Sequence, residues 1–522
     1  ITVDCGITAF DETSFAKANN IDLIVTDHHE CKSDLPEAYA VIDPKRRDCS
    51  YPFKELAGVG VAFKLINAIS DKMGLGFEEL HLKYLDLVAL GTIADIVPLK
   101  DENRIIAKHG IAMILDTENP GLRALIEKAG LEKKTVGSYE IGYIIGPRIN
   151  AIGRMGDAKE AVRLFITNDE NEALNISQKL EEANTLRQGI EQTIFDEAVK
   201  LIETEINLAE EKIIVLAQEG WHHGVIGIVA SRITEKFCRP CILISIEGDE
   251  GIGSGRSIEG FNLFNALKAC EDLLEKYGGH ELAAGLRIKK DNIDEFRNAI
   301  NRYANDLLTD EIMTQKIRID AYLDGKDEMG DIDSIRELEL MSPFGQGNPM
   351  PIFVVGNAIV NEIRSVGADF KHLKLKLECK GVKLDAIGFN LGGENGSIKI
   401  DDSLDVVAKL EINYWNSTSN VQLNIKDIRK SYNTRDFYLS LDRCIEAEFA
   451  HMEYRSANDG FKNNEIDLNC KKRGETNTSK NSPSDPVSNS IVDLDKEIKV
   501  ELGYDLKNIN KLYNEQELLR EL

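Results

Sequence analysis

Short apolar runs separated by helix-length polar intervals open the chain. ITVD, DLIVTD and AYAVID read as three buried strands, each closing on an acid, and DETSFAKANN between the first two reads as a crossover helix. That alternation predicts βαβ units and a parallel sheet. Functional groups in such sheets gather at the carboxyl ends of the strands, and Asp4, Asp27 and Asp43 all fall at that edge. Residues 55–165 read mainly as helix. Over 170–210 a polar stretch without Pro, broken only by Gly189, predicts one long helix suited to a rigid spacer. A second α/β block follows, with KIIVLAQ and CILISI as strands and GVIGIVASRITEKF and LFNALKACEDLLEKY as helices. In the same block GSGRS is expected on a loop and ELAAGL at the start of a helix. Beyond it, IRIDAYL, PIFVVGNAIV, HLKLKLEC, VKLDAIGF, LDVVAKLEI and NVQLNIKDI read as short strands with turn residues between them, which suits a small barrel.

The expected class is therefore α/β, with a parallel-sheet domain over 1–165, a linking helix over 166–205, a second α/β domain over 206–310, a barrel over 311–432 and a tail over 433–522. The tail contains KKRGETNTSKNSPSDPVSNS, too polar to bury a core, and is expected to be a linker of unassigned role. The chain opens inside a strand-like run with no Met, so it is expected to be truncated there.

Composition narrows the classes. Of 522 residues, 42% are hydrophobic and 29% charged, a soluble balance that leaves room for several domains. No apolar stretch approaches the roughly 18 residues of a membrane span and no signal peptide is recognisable, so a cytoplasmic protein is expected. The nine cysteines form no framework; Cys238 and Cys241 in FCRPC lack a partner pair and lead into an apolar run, which favours structural thiols. A net charge of −26 argues against a nucleic-acid partner only as a whole-molecule sum, because a basic cleft on an acidic body still binds phosphate.

TDHHE at 26–30 is the sharpest chemical signal. An Asp and two adjacent His at a strand end can reach one site, and imidazole with carboxylate suits Mn, Zn or Fe-type ions. The alternative is a pair of solvated loop histidines; the flanking acids favour a site. Asp4 alone would cap a helix, but its strand adjoins Asp27 and His28. Asp95 in GTIADIVPL interrupts an apolar run, as either a loop cap or a ligand.

These motifs, taken together, resemble the DHH phosphoesterase superfamily and within it the RecJ exonucleases. TVDCGI, TDHHE and GTIADIVPL are similar to the second, third and fourth motifs, and YIIGPRINAIGRMGDA to the segment that follows. GWHHGVIGIVASR, GSGRS and GGHELAAGL resemble the DHH-associated substrate domain, and SPFGQGNPMPIF with LDVVAKLEINYWNSTSNVQLNIKDIR resembles the added OB-type barrel. An Asp-x-Asp first motif would lie upstream of Ile1.

The resemblance implies a fold and an activity: metal-dependent 5′ to 3′ hydrolysis of single-stranded DNA to mononucleotides, in repair and recombination. It implies Mn2+ or Mg2+ in a two-metal site, with Asp4, His28 and Asp95 as ligands, His29 facing the scissile phosphate and Asp27 orienting the adjacent His. Arg148, Asn150, Arg154, His222, Arg232, Ser254, Arg256, Gly278, Gly279 and His280 are the implied substrate contacts. Of these, Arg148, Arg154, Arg232 and Arg256 are expected to form a positive strip. Arg pairing with local acids and His222 capping its helix are the competing readings. Tyr414 and Trp415 are candidates for base stacking or for barrel packing. Implied partners are single-stranded DNA, a single-strand-binding protein and a helicase, for a monomer away from membranes. Two alternatives stand beside this: a phosphodiesterase for cyclic dinucleotides or short oligonucleotides, which would lack the barrel, and an inactive single-strand-binding relative. Without its first motif the chain is expected to be an impaired nuclease.

Overall fold

A computed structural model describes residues 1–75, 82–323, 330–415 and 418–431. The tail over 433–522 and the side chains of Tyr414 and Trp415 lie outside the described part. The chain divides into two compact units. Among the described residues, one comprises those within 1–315 and 336–351, the other those within 316–335 and 352–431.

The first unit opens with β1 (Thr2–Val3), α1 (Phe10–Ala18), β2 (Ile24–Thr26) and β3 (Ala40–Ile42). The three strands form a parallel sheet in the order β1-β2-β3, with Val3 opposite Thr26 and Thr26 opposite Ile42. The acid-tipped strands thus end level. Helices α2 (Gly58–Met73), α3 (Leu85–Ala94), α4 (Asp101–Ile114) and α5 (Pro120–Lys128) follow. After a π-helical turn at Ile141–Ile145 come α6 (Gly146–Met155) and α7 (Lys159–Ile166). Ala107, Leu122, Leu125, Ile141, Ile145 and Leu164 pack this helical core with no exposure.

The spacer helix is α8 (Glu170–Glu205), 36 residues long, or about 54 Å at the helical rise. Asp169 caps it by accepting from the N–H groups of Asn171 and Glu172. Its apolar positions change allegiance along the helix. Ala173, Ile176 and Leu180 belong to the helical core, while Ile194, Ala198 and Ile202 belong to the core of the next block. One continuous hydrogen-bonded rod therefore contributes to both cores.

That block contains β4 (Ile214–Glu219), α9 (His223–Phe237), β5 (Cys241–Glu247), β6 (Glu250–Arg256), α10 (Leu263–Lys268), β7 (Leu274–Gly279), β8 (Ala283–Lys289) and α11 (Ile293–Asn305). The sheet runs β4-β5-β6-β8-β7, with only β4 and β5 parallel. Three sequence expectations fail here. Gly253–Arg256 of GSGRS is part of β6 rather than a loop, because it is laddered on both edges, to β5 and β8, and Gly253 and Gly255 make room for Leu286 and Leu263. ELAAGL lies largely in β8 instead of opening a helix. The helix predicted over LFNALKACEDLLEKY stops at Lys268, and Leu274–Gly279 pairs with β8. Cross-strand pairing overrides the helix preference of Leu, Glu and Lys. The Cys238–Cys241 pair is split: Cys238 is the left-handed cap of α9 and Cys241 is fully buried in β5.

The second unit has β9 (Ala321–Leu323), the start of α12 (Ile332–Glu339), β10 (Phe353–Val366), β11 (His372–Cys379), β12 (Val382–Gly388), β13 (Ser403–Trp415) and β14 (Thr418–Lys430). Strands β10, β11, β12, β14 and β13 close on one another through the β10–β11 pairing, giving a five-stranded barrel that β9 extends in parallel with β10. Period-two alternation explains the closure: Leu373, Leu375, Leu377, Leu404, Val406 and Ala408 all point inward. Among the described residues no helix is long and apolar enough to cross a membrane.

Candidate metal centre

The level ends of β1, β2 and β3 create the site. Asp4 N–H donates to Thr26 O and Asp27 N–H to Ile42 O, both at 3.0 Å, so the ladder holds each acid in place. Beyond Thr26 the strand geometry ends. The Asp27 carboxylate, 1% exposed, accepts from the N–H of Ile7 (2.9 Å), His28 (2.8 Å) and His29 (3.3 Å). This turn cancels the alternation that would throw His28 and His29 to opposite faces. Asp27 Oδ1 also lies 2.7 Å from His29 Nδ1, which fixes that ring and leaves its Nε2 edge outward on a half-exposed side chain. Burial pushes the Asp27 carboxyl up, but its hydrogen bonds outweigh burial and hold it below the usual carboxylate range.

His28 is the centre of the cluster. Its buried Nε2 lies 2.9 Å from Asp4 Oδ1 and 3.5 Å from Asp95 Oδ2, yet neither contact is aligned as a hydrogen bond. The Asp4 carboxylate, helped by Asp95, pushes the imidazole above its ordinary value against the opposing effect of burial. Burial raises Asp95, with Asp4 adding to the rise. Ligand atoms of Asp4, His28 and His29 all lie within 4.8 Å of one another. A buried imidazole nitrogen without a hydrogen bond, facing two carboxylates, is a donor set that suits a divalent cation. Gly58, first in α2, lies against Asp4 with no room for a side chain.

The expected phosphate contacts separate into two groups. Arg148 is paired with Glu181 at 2.5 Å and donates to Ile144 O. Arg232 is paired with Glu191 at 2.9 Å and lies 3.9 Å over the Phe195 ring. These two guanidinium groups are engaged by carboxylates of α8, which sets them apart from Arg154 and Arg256. Arg154 donates to Gly224 O, joining α6 to α9, and Arg256 donates to Gly255 O and Ser254 Oγ. Burial and then the neighbouring Arg154 lower Arg256 from its usual value. His222 caps α9, accepting from Gly224 N–H at 3.1 Å. Asn150 and His280 are exposed, and nothing covers Gly278, which pairs with Gly285 in bare sheet. Gly279 takes φ 145°, and a side chain there would strike Ala283 O.

Residues 1–92 match the DHH family N-terminal domain, 210–306 the DHHA1 domain and 319–427 the RecJ OB domain. The single-stranded-DNA-specific exonuclease RecJ of Haemophilus influenzae is 36% identical over 443 residues, covering 81% of this chain and 76% of the relative. The chain belongs to the RecJ family. RecJ of Bacillus subtilis is 40% identical over 82% of the chain, but the chain spans only 53% of that relative's length. A crystal structure of Thermus thermophilus RecJ in complex with Mn2+ superposes with a TM-score of 0.72 at 33% identity, covering 83% of this chain and 62% of that one. A Mg2+ complex of the same protein gives 0.68.

In this RecJ-family chain several further residues escape sequence reading. Arg187, 8% exposed, bonds Glu191 and Asn184 beside Arg154. The only signal was the 184-187-191 spacing of polar residues on one face of α8. On the barrel, Phe370 and Phe389 are 72% and 53% exposed, and His372 stands edge-on to Phe389 at 5.3 Å.

Proposed function

We propose that this RecJ-family chain is a metal-dependent exonuclease that hydrolyses single-stranded DNA from the 5′ end to mononucleotides, in DNA repair and recombination. The convergence of Asp4, His28 and Asp95 around one unaligned imidazole nitrogen carries the reading. It is supported by family membership and by the Mn2+ and Mg2+ complexes of the Thermus relative. Asp4, His28 and Asp95 would hold Mn2+ or Mg2+. Bound there, the cation would supply Lewis acidity for phosphodiester hydrolysis. His29, steered by Asp27, presents its free ring edge to the scissile phosphate. Arg154 and Arg256 contact phosphates with Ser254, His280 and the bare backbone of Gly278 and Gly279, where nothing blocks close approach at Gly278. The exposed barrel aromatics Phe370 and Phe389 offer ring faces to unstacked bases.

The domain boundaries drawn from the sequence, a monomeric state, a cytoplasmic location and partnership with a single-strand-binding protein and a helicase belong to the same reading. The test is release of nucleotides from 5′-labelled and 3′-labelled single strands, with and without Mn2+, by the chain and by its Asp95→Asn and His29→Ala variants. The reading requires Mn2+-dependent loss from the 5′ end that both substitutions abolish. Equal cleavage by the variants, or release from the 3′ end, would overturn it.

A further inference from the structure

Asp95 follows the last residue of α3, where its N–H donates to Gly91 O at 3.0 Å and that of Ile96 to Ile93 O at 3.2 Å; beyond Ile96 the helix gives no further support. Ile96 takes φ 60°, a left-handed conformation that a β-branched residue keeps only when its surroundings hold it there. A second hold comes three residues on. Leu99 is buried in the helical core, and its N–H donates to Gln346 O at 2.7 Å. Gln346 belongs to the 336–351 segment, which packs with the first unit although the chain on either side of it belongs to the second.

The fit of that segment is specific. A Cβ on Gly345 would come within 2.7 Å of Leu99 Cδ1, and one on Gly347, at φ 72°, within 3.0 Å of Pro98 Cβ. The two glycines let the backbone lie directly on Pro98–Leu99. Gly345 and Asn348 exchange both backbone hydrogen bonds, and Asn348 Nδ2 donates to Met341 O and Pro343 O, which closes the loop on itself. Arg104 holds Met341 O at 2.8 Å, and Ser138 Oγ donates to Phe344 O. From beneath, Asn103 Nδ2 donates to Pro98 O and Glu55 O.

We propose that Met341–Asn348 is a strap that positions Asp95. By pinning Pro98–Leu99 it holds the strained Ile96 turn and presents the carboxylate to His28. The strap thereby sets cation affinity, an inference that rests on the metal-centre reading of Asp95. A strap that only stabilised the fold would lower the melting temperature and leave the affinity of the folded chain unchanged.

Mn2+ binding to the purified chain, read from the spin-resonance signal of free Mn2+, separates the cases. Asp95→Asn, Asn348→Ala and Gly345→Val are compared with the wild type. Each is expected to bind Mn2+ about tenfold more weakly, the scale seen when partners behind a metal ligand are removed. Far-ultraviolet circular dichroism should stay unchanged in all three. Excess Mn2+ should restore the nuclease rate of the two strap variants and not that of Asp95→Asn. If Asp95→Asn weakens binding while both strap variants match the wild type, the strap has no positioning role. If Asp95→Asn itself binds Mn2+ normally, the metal-centre reading fails, and this inference fails with it.

Discussion

Gly58→Ala tests the metal centre without replacing a proposed ligand. The Cβ it introduces would lie 2.2 Å from Asp4 Oδ1, 2.6 Å from Cγ and 2.7 Å from Cβ. Rotating the carboxylate relieves only the first two contacts. The third forces the Asp4 backbone or the start of α2 to move, and α2 is anchored by the buried Leu56, Ala57 and Val61. The Asp4 side chain must therefore retreat by about 1 Å, and Oδ1 is the atom 2.9 Å from His28 Nε2. A displacement of about 1 Å at a reacting centre costs on the order of 10²-fold in rate. The stability effect is smaller, because overpacking costs about 1–3 kcal/mol while Ala for Gly in a helix returns up to about 1 kcal/mol. The expected result is a chain that melts within a few degrees of the wild type and releases nucleotides from single strands on the order of 10²-fold more slowly. A rate and Mn2+ dependence equal to the wild type would refute the placement of Asp4 in the centre.

Two further outcomes follow from the same geometry. The Asp27 carboxyl is held below its usual range, so its contribution to stability is complete above the unfolded value near ~3.9 and disappears as pH falls through the lower folded value. Asp27→Asn, which turns an amide donor toward one of the N–H groups, should cost about 1–3 kcal/mol at neutral pH and flatten the acid limb of the melting-temperature profile; an unchanged profile would show that Asp27 does not supply that limb. Arg256→Ala should reduce by about 1 the slope of log affinity for single-stranded DNA against log salt, whereas Arg148→Ala, which breaks the pair with Glu181, should lower the melting temperature and leave that slope alone; the reverse pattern would exchange their roles.

The three acid-tipped strands were legible because a short apolar run ending in Asp leaves few alternatives in a parallel sheet. The reach of both His28 and His29 into one site was also legible, though its cause, the turn built on the Asp27 carboxylate, was not. The barrel was readable from alternation alone, since Leu373, Leu375 and Leu377 are buried in strict period two. Local composition misled where a distant partner decides. Leu274, Glu275 and Lys276 are helix-forming by residue type and stand in a strand only because β8 is there to pair with it. Glycines at 253 and 255 suggested a loop and instead make room for Leu286 and Leu263. The partners of Arg148 and Arg232 lie 33 and 41 positions away, beyond any local pattern.

The strap also fixes an order of synthesis. Arg104 and Met341, which it joins, are 237 positions apart. At roughly 5–20 residues per second a ribosome takes about 10–50 s to cover that distance. Throughout that interval the Leu99 N–H lacks its native acceptor, the Gln346 carbonyl, however completely the helices around it have folded. When the strap emerges, β9 has already been made and β10 to β14 have not. The nascent chain therefore cannot finish its first unit before starting its second, and the Asp95 loop takes its seat only when the barrel is about to be translated.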